Sequence, residues 1–334
     1  MTPAPVTAVV VTYREPEAGR PAIASLERQT RPPAELRVVD NDPEAGRQFE
    51  SSLPVRVLHP GGNLGYPGAC NVAAAEATQP WLFFLNPDAE AAPDCLERLL
   101  AAADESTAVV GAQVLLPDGR VNAGDNPVHV TGLSWSGRYL EPAEHGPPRE
   151  TAAVSGAALI TRTSVFRELG GHSPAFFLYV DDTDMAWRAR LAGWKVLFAP
   201  DAAVSHDYEF DKGPGKWQHL EHNRLWMVLS NYSRATLALL APLLLAAEGG
   251  IAVQARRDGW WPQKVRAWRQ LAAGRRELAR WRRQVQAHRA VGDRPIVAGM
   301  QGEMHTPLVE SPMLDRVNRW MEHYRRAVLH LLRP

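Results

Sequence analysis

From residue 6 onward the chain alternates short apolar runs with stretches of helical character. Residues 6–12, 36–40, 55–59 and 81–85 are rich in Val, Leu and aromatic side chains, the pattern of strands buried on both faces. Between them, residues 18–29 and 66–77 read as helical and residues 43–51 as helical or mixed. This alternation predicts a parallel sheet covered on both faces. Pro21 near a helix start, and Gly170 and Gly193 just after helical runs, are the punctuation such a fold needs.

Farther along, residues 153–161 predict one apolar strand, 164–169 a short helix, 182–192 another helix, and 195–199 and 203–206 two strands. After His206 the composition changes, and residues 217–232 read as a long helix. The most apolar stretch, 235–253, is near the minimum length for crossing a bilayer. Pro242, Glu248 and two glycines weigh against a span and leave half-insertion or burial open. Residues 313–332 carry an apolar stripe of Val317, Trp320, Met321, Tyr324, Val328 and Leu331, able to pack on itself or on a partner. The expected organisation is an α/β domain over residues 1–212 and a helical region over 213–334.

Charge changes this picture at one end. The 334-residue chain has no net charge, yet residues 253–290 hold eleven Arg or Lys against Asp258 and Glu277. A basic, Trp-containing segment on an acidic body points to a polyanionic partner, with membrane phospholipid ahead of nucleic acid. A solvated basic helix that packs its tryptophans on the body is the alternative. Cys70 and Cys95 are too few for a disulfide framework, and the N-terminus lacks a basic stretch followed by a long apolar core. The expected location is the cytoplasmic face, peripheral to the inner membrane, or the cytoplasm if the C-terminal region does not bind lipid.

The sharpest chemical signal is Asp181-Asp182-Thr183-Asp184, just before a helix carrying Trp187, Arg188 and Arg190. One aspartate suffices to cap a helix, and the excess points to use of the charge. An ionised Asp beside a hydroxyl can take its proton as an oxygen–carbon bond forms. Asp184 is placed to hold Arg188 four residues on. Asn86-Pro87-Asp88 follows an apolar strand, where ligands of open α/β sheets gather; it is either a turn or a cation-binding carboxylate. Asp40-Asn41 likewise is either an Asx-turn or an acceptor for the imide N–H of a pyrimidine, with Thr12, Tyr13 and Glu15 nearby if the two strands are adjacent. Residues 61–71 form a glycine-rich loop entering a helix, without the ending of a P-loop or the dinucleotide fingerprint. His206 closes a strand, as a structural imidazole or a cation ligand.

Taken together, these residues resemble the family 2 glycosyltransferases, in particular a bacterial rhamnosyltransferase-like branch. The carriers, in family order, are residues 9–13, 38–41, Asn63-Leu64-Gly65 with Asn71, 85–88, 155–158, 181–184 and 200–206. Asn223-Arg224-Leu225-Trp226 and Asn231-Tyr232 extend the likeness, which covers about residues 5–245. The resemblance implies a GT-A fold, Rossmann-like with a mostly parallel sheet and flanking helices, plus the C-terminal helical segment. Residues 1–115 would form its nucleotide-sugar half and 116–212 its acceptor half.

It further implies a nucleotide-diphospho-sugar donor of UDP or dTDP type (dTDP-rhamnose among them), Mg²⁺ or Mn²⁺, and inverting transfer to a lipid-linked or cell-envelope glycan. In that site Asp182 is the general base and Asp181 its supporting acid. Asp88 and His206 hold the metal, and Thr12, Tyr13, Glu15, Asp40, Asn63, Gly65, Asn71 and Asn86 bind the donor. Two positions depart from the family pattern: Asn86 stands where the metal motif has its first acid, and Asp181 where a Glu is usual. The rival readings are a nucleotidyltransferase, which lacks its basic phosphate loop here, and a non-catalytic membrane-associated scaffold, whose mark would be loss of Asp88 or Asp182. An inner-membrane surface and a second copy of the chain are the expected partners, and nucleic acid is not.

Overall fold

The structure, a computed structural model, describes residues 2–14, 17, 19–44, 46–206, 213, 215–304 and 312–332. Its strands are β1 (Ala4–Thr12), β2 (Pro33–Asp40), β3 (Val55–Leu58), β4 (Trp81–Leu85), β5 (Ala89–Ala91), β6 (Thr107–Leu115), β7 (Val121–Ala123), β8 (Asp125–Asn126), β9 (Arg149–Glu150), β10 (Ala153–Val154), β11 (Ala158–Arg162) and β12 (Lys195–His206). The helices are α1 (Arg20–Glu27), α2 (Gly65–Glu76), α3 (Cys95–Ala102), α4 (Thr163–Glu168), α5 (Asp181–Leu191), α6 (Lys216–Asn231), α7 (Arg234–Arg257), α8 (Trp261–Ala273), α9 (Arg275–Ala287), α10 (Asp293–Ala298) and α11 (Pro312–Leu331). They fall into two compact units, one from residues 1–126, 136–189 and 194–209, the other from 127–135, 190–193 and 210–334.

The first unit is built on one sheet with strand order β3-β2-β1-β4-β11-β6-β12-β5. The β-branched run 9–12 makes β1 the partner of both β2 and β4, each parallel to it, and Thr12 stands opposite Asp40. Strand β11 runs antiparallel between β4 and β6, and β12 is parallel to β6. The sheet is therefore mixed, although mostly parallel. With two reversals across β11, the carboxyl ends of β1, β2, β4, β6 and β12 and the start of β11 all lie on one edge. The core packs sheet residues such as Val10, Val38, Phe83, Val110 and Ile160 with Leu26 of α1 and Leu96 and Leu99 of α3. Burial of each Val, Leu, Ile or Phe side chain contributes about 1.5–3 kcal/mol, which makes this layer the rigid base of the edge.

Four expectations are corrected. Residues 153–161 are two strands, because Ser155–Ala157 leave the ladder between β10 and β11. Residues 195–206 are one strand with an irregularity between Ala199 and Ala203, where Pro200 has no N–H to donate. Residues 46–51 hold no helix; Pro43 and the turn-forming Asp42 favour an irregular connection. The basic stretch 253–290 is not one helix, since Gly259 at φ 78° and Gly274 divide it into the end of α7, α8 and α9.

The second unit is helical. Helix α6 is its centre, with Trp226, Met227 and Val228 buried and α8 and α9 packed on it. Ser233 caps α7 by accepting from the Thr236 N–H, and Pro242 is accommodated without ending the helix. Glu221, Arg224, Glu248 and Lys264 meet inside this unit. Arg224 Nη2 donates to Glu221 at 2.8 Å and also to Glu248; Lys264 Nζ reaches Glu248 at 2.9 Å and also Glu221.

Candidate active site

The acidic run is delivered by a strained turn. Tyr179 and Val180 take φ of 70° and 67°, a region that disfavours a β-branched residue most, and α5 begins at Asp181 directly after them. The three aspartates then separate by role. Asp184 is fully buried and pairs with Arg188 at 2.8 Å, while Arg188 also donates to the Leu169 and Gly171 carbonyls. Asp181 is buried, and Asp182 is half-buried. The Asp182 carboxylate accepts from the Gly156 N–H at 2.8 Å through one oxygen and from the Thr183 N–H at 2.6 Å through the other. A Cβ at Gly156 would stand 3.2 Å from the Asp182 Cβ, so a side chain there would press the carboxylate a few tenths of an ångström aside.

Burial raises the pKa of both acids. For Asp181 burial comes first and the neighbouring Asp182 charge second, and together they push it up to about 8. For Asp182 burial also raises it, but the Gly156 and Thr183 hydrogen bonds oppose that rise by favouring the charged form. Of the two, Asp181 is the one driven toward its protonated form, and the backbone N–H groups favour charge on Asp182. Half-buried Tyr66 and buried Cys70 have their pKa values raised by desolvation first, and Asp181 adds to this.

A crevice beside this pair is lined by Tyr66, Phe84, Gly156, Leu159, His172, Asp181 and Asp182. Tyr66 spans it: its N–H donates to the Phe177 carbonyl at 3.0 Å and its hydroxyl to the Gly156 carbonyl at 3.3 Å. His172 packs edge-on to Phe166, with 5.1 Å between ring centroids. Burial, then Arg188, lower its pKa to about 3, so the imidazole is neutral, and its Nδ1 has no hydrogen-bond partner. Neither Tyr66 nor His172 stood out in the sequence as a site residue. Tyr66 lay within a glycine-rich loop that was read for its backbone, and no local pattern marks His172.

The remaining residues fall into three groups along the sheet edge. Asn86 leads out of β4 and donates its N–H to the Ala157 carbonyl at 2.9 Å, one residue from Gly156. Strand β5 pairs Ala89 with His206 of β12, which sets exposed Asp88 beside buried His206, with Asp88 Oδ1 at 2.9 Å from His206 Nε2. At the far end, Thr12 is buried against the Val39 carbonyl, and Tyr13 is exposed under Arg14. The Asp40 carboxylate is covered: it accepts from the Arg47 N–H at 3.1 Å, with the Arg47 guanidinium at 3.8 Å and His59 at 3.7 Å. Glu15 lies outside the described residues.

Asn63, Gly65 and Asn71 are bonded within the scaffold. Asn63 Oδ1 accepts from the Gly65 N–H and from Asn41 Nδ2, both at 2.9 Å. Asn71 bonds both backbone groups of His172. Gly65, at φ 70°, has no room for a side chain, since a Cβ would lie 2.1 Å from the Phe177 carbonyl oxygen. These contacts tie the glycine-rich loop and α2 to the turn that carries the aspartates.

Asp88 and His206 suit a divalent cation. Two ligands at right angles on an octahedral ion with bonds of about 2.1 Å stand about 3 Å apart, which matches the separation of this pair. A carboxylate oxygen and an imidazole nitrogen are both donors for Mg²⁺ or Mn²⁺. Among the described residues no three His, Cys, Asp or Glu side chains converge, so a cation here takes its other ligands from elsewhere.

The fold and the catalytic edge define a GT-A glycosyltransferase. Residues 7–170 match the model of "Glycosyl transferase family 2", and the chain belongs to that family. It is 29% identical over 294 residues to the N-acetylglucosaminyl-diphospho-decaprenol L-rhamnosyltransferase of Mycobacterium tuberculosis, spanning 77% of this chain and 87% of that protein. It is likewise 29% identical to the O-antigen biosynthesis protein RfbC of Myxococcus xanthus, over 60% of this chain and 17% of that much longer protein. Among solved structures, GalNAc-T7 with UDP, GalNAc and Mn²⁺ shares the fold, with a TM-score of 0.55 and 17% identity over 69% of this chain and 48% of that one.

Proposed function

We propose that this glycosyltransferase moves a sugar from a UDP- or dTDP-linked donor, dTDP-rhamnose included, to a hydroxyl of a lipid-linked envelope glycan, with inversion. The observation that carries the reading is the unequal aspartate pair: half-buried Asp182 is held by two backbone N–H groups that favour its charged form, while burial and the Asp182 charge push the pKa of Asp181 beside it up to about 8. Asp182 takes the proton of the acceptor hydroxyl as its oxygen bonds to the anomeric carbon. The bond from that carbon to the diphosphate breaks on the opposite side, and the nucleoside diphosphate leaves with the electron pair. The Gly156 and Thr183 N–H groups fix the base in position, so little reorganisation is needed when the proton moves.

Asp88 and His206 would hold Mg²⁺ or Mn²⁺, which supplies positive charge to the leaving diphosphate. Asp40 is the group suited to a pyrimidine imide, and Arg47 must leave its carboxylate for a base to reach it. The relative that acts on N-acetylglucosaminyl-diphospho-decaprenol supports the lipid-linked acceptor. A thermal-shift panel of UDP-, dTDP- and GDP-sugars, each with and without Mn²⁺, tests the donor. One UDP- or dTDP-sugar raises the Tm, the rise depends on Mn²⁺, and Asp88→Asn removes that dependence. Stabilisation by GDP-sugars alone, or equally with and without metal, overturns the reading.

A further inference from the structure

Helix α7 has two unlike sides. One is tied to its own unit at three levels. Thr236 Oγ1 donates to Asp293 at 2.6 Å, the Tyr324 hydroxyl donates to the Leu239 carbonyl at 2.7 Å, and Glu248 receives Trp268 Nε1 and Lys264 Nζ, both at 2.9 Å. On the other side Ala235, Ala238, Pro242, Leu245, Gly249 and Val253 recur at spacings of three and four and are exposed. Leu245 is 72% and Val253 49% exposed. The most apolar eighteen residues of α7 have a mean hydropathy of 1.9, and only 17% of them are buried. Arg234 precedes the stripe and Arg256 and Arg257 follow it, all exposed. The Arg256 guanidinium lies 3.7 Å from the ring centroid of Trp261, the first residue of α8.

We propose that this free side of α7 docks on an anionic phospholipid surface, with the helix lying in the plane of the interface and not crossing it. A crossing helix would have to strip Glu248 from Arg224 and Lys264, leaving two buried cations to share Glu221 alone. Lying flat keeps all three ties and puts only uncharged side chains at the acyl boundary. The arginines at both ends reach the phosphates along apolar stems, and Trp261 sits at headgroup depth. Charge complementarity fixes the lipid class: in residues 253–290 eight arginines are exposed against one exposed acid, Asp258, which favours an anionic headgroup. The proposal fits the lipid-linked acceptor reading, but its test contains no acceptor.

Flotation of the full chain with phosphatidylcholine vesicles, with and without phosphatidylglycerol, tests it. The chain floats with the phosphatidylglycerol vesicles and comes off in alkaline carbonate. Leu245→Asp with Val253→Asp lowers the bound fraction by about ten-fold or more. Leu245→Ser, a milder change at the most exposed position, acts in the same direction, and both variants keep the wild-type melting curve by circular dichroism. Arg256→Gln with Arg257→Gln lowers the preference for phosphatidylglycerol. Unchanged flotation of the double Asp variant overturns the proposal, as does retention through carbonate. So does sedimentation showing that the double Asp variant splits a dimer while vesicle binding persists. Flotation of a wild-type chain that transfers nothing to a lipid-linked acceptor supports the docking and overturns only the acceptor reading.

Discussion

Two buried acid clusters stand out among the described residues, one in each unit. In the helical unit Glu221 and Glu248 meet Arg224 and Lys264, two acids against two bases. Burial works to raise the pKa of Glu221, yet Arg224 and Lys264 outweigh it and hold the carboxyl below its ordinary range. In the sheet unit Asp181 and Asp182 share a turn with no Arg or Lys paired to either among the described residues, and burial prevails. Even within the acidic run the contrast repeats, since Asp184 pairs with Arg188 and its neighbours do not. A balanced cluster fixes helices against one another. In an unbalanced one, burial raises the pKa of the acids with no cation to oppose it.

The comparison can be broken most sharply at Asp182. Asp182→Asn keeps the size and the Gly156 contact but removes the base, so kcat falls by about 10³-fold or more while donor binding by calorimetry stays nearly unchanged. Turnover above about a tenth of wild type would mean that the unbalanced cluster is not the catalytic one. Lys264→Met attacks the balanced cluster. It leaves Glu221 and Glu248 short of a cation, costs about 3 kcal/mol in denaturant unfolding, and leaves the transfer chemistry in place.

A pH series comes next. Asp181 has its folded pKa raised from the ordinary carboxylate value to about 8, so the unfolded chain loses this proton first. Its contribution to stability is complete below the unfolded value and is lost as pH rises toward 8. Asp181→Asn removes that decline, which melting curves across the range will show, and a parallel wild type and variant would contradict the assignment. The smallest effect is expected at Val180→Gly. Relief of a β-branched residue at positive φ exceeds the entropy cost of glycine, for a gain of about 1 kcal/mol in thermal unfolding.

Much of this arrangement was legible in the sequence. Strands 1, 2 and 4 could be read because β-branched and aromatic runs buried on both faces leave no other element to form, and Thr12 stands beside Asp40 as the adjacency of the first two predicts. The link from Asp184 to Arg188 followed from helical spacing alone. Other features have no local signature. Strand β6, central to the sheet, has no counterpart among the apolar runs singled out in the sequence, and the reversal at β11 is decided by pairing with β4 and β6, far apart in the chain. Nor does spacing reveal that Asn63 and Asn71 bond the scaffold, that Arg47 covers Asp40, or that His172 lines the crevice. Each depends on a loop arriving from elsewhere.

The contact between Gly65 and the Phe177 carbonyl has a consequence for how such an enzyme can be altered. With the backbone in a left-handed conformation and a Cβ excluded at 2.1 Å, only one of the twenty amino acids fits that position. Diversification of the crevice, in a laboratory library or over longer times, therefore has to work by exchanging the side chains that face it. Tyr66, Leu159 and His172 are the positions to randomise, and residue 65 is the one to leave alone.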